Sequence, residues 1–137
     1  MKFAILHLSD IHIKNTENHV FDKVNEIINS IKNKLFDEKF LFIVTTGDIA
    51  NTGNNQEYNE AINFYKKLEE ELAIYLKDLS IKFIFSPGNH DCDFSISNDI
   101  RELVLEKINK DDFEIDNIKK DYISNCVSVQ ENYFNFK

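Results

Sequence analysis

An α/β fold on a parallel β-α-β-α-β core with flanking helices is predicted by three observations. Short apolar runs rich in Phe, Ile, Leu and Val stand at residues 3–9, 40–46 and 81–86. Between successive runs lies a helical-period pattern long enough for a crossover. Each run also stops at polar or glycine-bearing residues, at Asp10-Ile11-His12, at Gly47-Asp48 and at Gly88-Asn89-His90-Asp91.

The first run, FAILHLS, reads as a strand buried on both faces, as in a parallel sheet covered by helices. Residues 10–19 are polar and loop-like. From Val20, apolar residues recur at Val24, Ile27, Ile28, Ile31 and Leu35, one face of a helix that Asp37-Glu38-Lys39 ends. FLFIVTT is the second buried strand, followed by the loop GDIANTGNN. A second helix is expected over residues 56–77, with Tyr58, Ala61, Ile62, Tyr65, Leu68, Leu72 and Leu76 inward. The third strand begins as a buried run and breaks at Ser86-Pro87-Gly88, which holds the chain's one proline and one of its three glycines. Beyond it come two shorter helical patterns, at residues 99–109 (Ile100, Leu103, Val104, Ile108) and 117–134 (Ile118, Tyr122, Cys126, Val129, Tyr133). The expected organisation is one domain, 1–137, with a motif-bearing α/β part at 1–92 and a helical part at 93–137.

Bulk composition narrows the function classes. The 137 residues are 42% hydrophobic and 29% charged, ordinary values for a globular domain with a real core. A net charge of −8 works against a broad grip on nucleic acid or an anionic membrane. The six-residue apolar run at the N-terminus is too short for a signal peptide or a span. Two cysteines, Cys92 and Cys126, point to a reducing compartment rather than a disulfide framework, so a cytoplasmic location is expected.

The strand ends carry the chemistry. In an open parallel sheet, ligands bind beyond the carboxyl ends of the strands. That topology brings Asp10, His12, Asp48, Asn89 and His90 to one edge. In an extended segment, side chains at i and i+2 point the same way, so Asp10 and His12 can reach one ion. Gly47 and Gly88 stand directly before polar groups, where a missing Cβ permits close backbone approach. Carboxylate, imidazole and amide oxygen together suit Mn, Fe, Zn or Mg, and no cysteine joins the set. Each residue also has a plainer reading. Asp48 suits a turn cap, Asn89 a turn residue at positive φ, and His7 a hydrogen-bonded strand histidine.

Taken in order, Asp10-x-His12, Gly47-Asp48 and Gly88-Asn89-His90-Asp91, within HLSDIH and SPGNHD, resemble the first three motifs of the calcineurin-like metallophosphoesterases. The resemblance covers about residues 3–91. It implies the first half of an αββα sandwich and a hydrolase acting on phosphate mono- or diesters with two divalent metal ions. Asp10 and His12 would hold the first ion, Asp48 would bridge both, and Asn89 would hold the second. His90 would protonate the leaving oxygen, and a metal-held hydroxide would attack. Asn51 or Asp91 would orient His90.

The resemblance also has departures. The family's later histidine motifs have no counterpart, since the four histidines are His7, His12, His19 and His90. The expectation is therefore the N-terminal half of a longer protein, binding metal poorly, with Tyr133, Phe134 and Phe136 either covering core or forming a surface for self-association. Asn51 and Thr52 stand where the protein-phosphatase branch carries Asp and Arg. Without that phosphate clamp a Ser/Thr protein phosphatase is disfavoured. A non-catalytic interaction module on the same scaffold, or part of a nuclease, are the rival readings, and the acidic balance weighs against the second.

Overall fold

A computed structural model describes residues 2–16, 18–76, 78–109 and 120–136. Lys77, the expected end of the second helix, and Ile118, in the last helical pattern, lie outside the described residues. Three strands form one parallel sheet in the order β1 (Phe3–Leu8), β2 (Phe40–Thr46) and β3 (Ser80–Ser86). Register runs straight across it: Leu6 faces Ile43, which faces Phe83. The predicted α/β alternation is present, with α1 (Val24–Ile31) and α2 (Asn55–Tyr75) as the crossovers. Among the described residues α3 (Asp99–Asn109), α4 (Lys120–Val127) and α5 (Glu131–Phe136) follow.

Each crossover helix is shorter or differently seated than its apolar period suggests. The first pattern opens as a 3-10 turn, His19–Lys23, and continues as α1 for only 8 residues. Val24 and Ile28 are its buried positions. At the start of α2 the Asn54 side chain accepts the Glu57 N–H at 3.0 Å, the usual way of satisfying a free first-turn donor. Glu57 turns back and accepts from the Thr52 N–H at 2.7 Å, which locks the preceding loop to the helix. The buried face of α2 includes Phe64, fully covered and outside the inward set its apolar period predicts, whereas Ile62 is only half-buried. The last pattern is broken into α4, a 3-10 turn (Ser128–Gln130) and α5. Tyr133 is buried in the core and the Phe136 ring lies 5.0 Å from that of Phe85, whereas Phe134 is half exposed.

The sheet corrects one expectation. Strand β1 is not buried on both faces: Phe3 and Ile5 are 58% and 60% exposed, and Ile84 in β3 is 50% exposed. The cause is topological. Two right-handed crossovers taken in the same direction, β1 to β2 to β3, stack both helices on one side of the sheet. Ala4, Leu6, Leu8, Leu41, Ile43, Ile81, Phe83 and Phe85 face those helices and form the core with them. The opposite face has no helix against it among the described residues. No described helix is long and apolar enough to cross a membrane.

Candidate metal centre

The first two loops after the strands continue the sheet's pairing a few residues further. His12 N–H donates to the Asp48 carbonyl at 2.9 Å and Ile13 N–H to the Ile49 carbonyl at 2.8 Å. Asn51 N–H returns to the Ile13 carbonyl at 3.0 Å. Ile13 and Ile49 are fully buried, so the two loops are pinned by backbone bonds and by apolar anchors together. The third loop crosses the second at its glycines. A Cβ on Gly88 would come within 2.6 Å of the Asp48 nitrogen, and one on Gly53 within 2.6 Å of the Cys92 carbonyl carbon. Neither site has room for a side chain, and Gly53 also holds a positive φ of 72°.

Asp10, His12 and Asp48 converge. Each offers one ligand atom, and those atoms all lie within 4.8 Å of one another. The backbone route to this convergence is not the extended one expected for Asp10-x-His12. Asp10 (φ 54°), His12 (φ 50°) and Asp48 (φ 53°) are the non-glycine residues at positive φ among the described residues. Left-handed backbone at a residue with a Cβ is uncommon and concentrates where structure is held for function. Here it lies on both sides of half-buried Ile11, and the ligand atoms of the two flanking side chains lie within 4.8 Å of each other. The plainer reading of Asn89, a turn residue at positive φ, does not hold; the left-handed non-glycine positions among the described residues are Asp10, His12 and Asp48.

The surroundings hold these groups in place. Ser9 donates its hydroxyl hydrogen to the Asp10 carboxylate. His90 N–H donates to Asp48 Oδ1 at 3.0 Å, fixing that carboxylate from the third loop. The His90 ring stands edge-on to His12, with centroids 4.7 Å apart. Asn89 lines the cavity beside His90. His7, in contrast, is on the open face of the sheet, 2.6 Å from the Thr46 hydroxyl, and outside the cluster.

His90 and Asp91 are placed differently from the expected pairing. The group against His90 Nδ1 is the Asn51 main-chain carbonyl, at 2.8 Å. A carbonyl only accepts, so Nδ1 carries the proton and Nε2 is left free. Neither the Asn51 side chain nor Asp91 makes that contact. Asp91 is fully buried, and its carboxylate accepts from Ala50 N–H at 2.9 Å, Gly88 N–H at 2.9 Å, Ile49 N–H at 3.2 Å and the Tyr58 hydroxyl at 3.0 Å. One side chain thereby ties the second loop, the third loop and α2 together. Consecutive residues in a tight turn point apart, which is why neighbours in sequence serve different places.

Burial first, then the Asp91 charge and the hydrogen bond to it, push the Tyr58 phenol far above its ordinary value of 10.0. A raised folded pKa gives stability that is fully present below pH 10 and is lost as pH rises beyond it. Wild-type stability should therefore fall as pH climbs from 10 to 11, and Tyr58→Phe should fall less over the same window, keeping the part due to Tyr65, which burial also raises. At pH 7, Tyr58→Phe should cost about 2 kcal/mol, the worth of a hydrogen bond to a charged acceptor. Urea unfolding at pH 7, 10 and 11 reads both; parallel decline in the two proteins would remove Tyr58 from the account.

A parallel sheet with a carboxylate–imidazole cluster beyond its strand ends defines a candidate metal-binding α/β protein. The chain belongs to the calcineurin-like phosphoesterase family, whose model matches residues 3–136. It is similar to an uncharacterized protein of Acanthamoeba polyphaga mimivirus, 32% identical over 102 residues, an alignment covering 69% of this chain. The chain spans 7% of the length of that relative.

Proposed function

We propose that this chain hydrolyses phosphate mono- or diesters with divalent metal ions. The observation that carries the reading is the convergence of Asp10, His12 and Asp48 ligand atoms within 4.8 Å, with the His90 ring beside them. The donor set fits the ions named: two carboxylates, an imidazole and the Asn89 amide suit Mn, Fe, Zn or Mg. Asp10, His12 and Asp48 would hold an ion, and Asn89 would serve a second one. Ions bound there supply a nucleophile from water near neutral pH and neutralise charge on the phosphate.

The chain's own groups do the rest. His90, held through Nδ1–H by the Asn51 carbonyl, would act as the imidazolium, giving the second proton, on Nε2, to the leaving oxygen and ending as the neutral Nδ1–H ring. Asp48, fixed by the His90 N–H, keeps its carboxylate oriented between the two loops. Asp91 is a positioning residue, acting through the loops it joins. The free thiols of Cys92 and Cys126 support a reducing, cytoplasmic setting.

The test is Mn²⁺ titration followed by calorimetry, together with hydrolysis of bis(4-nitrophenyl) phosphate with and without Mn²⁺. Hydrolysis should depend on Mn²⁺. Asp48→Asn should weaken Mn²⁺ binding at least about tenfold, since even outer-shell changes cost that much. Because no histidine follows His90 to add imidazole ligands, binding should be weak in the wild type as well. Hydrolysis indifferent to Mn²⁺ and to Asp48→Asn would sink the reading. It would favour the rival, a non-catalytic module on this scaffold.

A further inference from the structure

Next to His90 lies a cavity of about 650 Å³, within the range of small-molecule sites. Most of its polar wall is already engaged. Thr52 Oγ1 donates to Glu57 and accepts from Asn54, whose own Oδ1 caps α2. The Asp93 carboxylate accepts from Ser95 and Asn132. Besides Asn89 and His90, assigned above to an ion and to the leaving oxygen, two elements remain. The side-chain amide of Asn51 has no partner among the described residues, although its main chain holds Ile13 and His90. The Phe94 ring lines the same cavity and is 54% exposed.

Phe94 is not a loose surface ring. Arg101, the chain's one arginine, sits over it with its guanidinium carbon 5.3 Å from the ring centroid. That arginine is itself fastened, donating to the Cys126 carbonyl at 3.3 Å and to the Ser97 hydroxyl at 3.4 Å. A ring backed by a fixed planar cation is a preorganised stacking surface. Among the described residues no lysine or arginine lines the cavity, which leaves it without a counter-charge for a second phosphate there.

We propose that this cavity receives the alcohol-side group of the phosphate ester, and that this group is a planar, uncharged ring stacked on Phe94 with its edge at the Asn51 amide. A nucleoside, with a planar base carrying donors and acceptors on its edge, has that chemistry. The inference rests on the phosphoesterase reading in one respect: His90 must face the leaving oxygen for the cavity to lie on the alcohol side. The nucleoside could come from a single nucleotide or from a strand. The net charge of −8 and the absence of a lysine or arginine at the cavity favour the single nucleotide.

The experiment titrates adenosine, D-ribose and a thymidine decamer into the metal-free chain, followed by calorimetry and ligand-observed NMR. Adenosine should bind and ribose should not. Phe94→Ala should weaken adenosine about tenfold, in keeping with base–aromatic stacking, and Phe94→Trp should retain it. Ribose binding as well as adenosine, or Phe94→Ala leaving adenosine affinity unchanged, overturns the proposal. A decamer binding tenfold tighter than adenosine overturns the single-nucleotide source. Mn²⁺-dependent hydrolysis of bis(4-nitrophenyl) phosphate by the wild type is read separately. Hydrolysis without adenosine binding sinks only the cavity assignment, and adenosine binding without hydrolysis sinks only the catalytic reading.

Discussion

Asp91→Ala should lower the free energy of unfolding by about 3–5 kcal/mol, the cost of breaking a buried, fully hydrogen-bonded charge network by removing one partner. The substitution strands the N–H groups of Ile49, Ala50 and Gly88 and the Tyr58 hydroxyl, all of which point at this carboxylate. Each buried donor without an acceptor costs about 1–3 kcal/mol, partly relieved if water enters the space left behind. Against a total stability of about 5–15 kcal/mol for a domain, the loss is a large fraction. Urea unfolding at pH 7 measures it. A loss under about 1 kcal/mol would mean that the loops hold one another without Asp91, through backbone pairing and the glycine crossing alone.

The second large effect falls on rate. His90→Ala should lower kcat for Mn²⁺-dependent hydrolysis of bis(4-nitrophenyl) phosphate by about 10²–10⁴, the usual worth of a positioned proton donor. Mn²⁺ affinity should stay where it was, because the imidazole is assigned to the leaving oxygen and not to an ion. The two readouts separate the possible roles. An equal fall in Mn²⁺ affinity would make His90 a ligand, and an unchanged kcat would take it out of the chemistry. The tether to the Asn51 carbonyl has no side-chain component, so Asn51→Ala should preserve it.

The sheet and its loops could be read in the residues because the signal is abrupt. An apolar run ending in Asp10-Ile11-His12, or in Pro87-Gly88-Asn89, marks both a strand and its functional end. The one-sided burial could not be read. Phe3, Ile5 and Ile84 are as apolar as Leu6 or Phe83, and only the shared direction of the two crossovers decides which face is covered. Nor does the sequence signal left-handed backbone at Asp10, His12 and Asp48, since a glycine would be the usual mark of it. Asp91 was assigned by adjacency to His90, whereas its partners come from 33 to 42 residues earlier as well as from Gly88. Phe94 lies in CDFSIS, a stretch with no period, and only the cavity reveals it.

The left-handed turns at residues 10, 12 and 48 make alanine a poor tool for dissecting this site. Alanine there removes a side-chain donor and also leaves a Cβ residue in a conformation costing about 1–2 kcal/mol, without the local hydrogen bonds that a short polar side chain provides. Asparagine tolerates the same backbone. At positions 10 and 48 it takes away the charge alone, so a lost ion and a misfolded loop become separate readings.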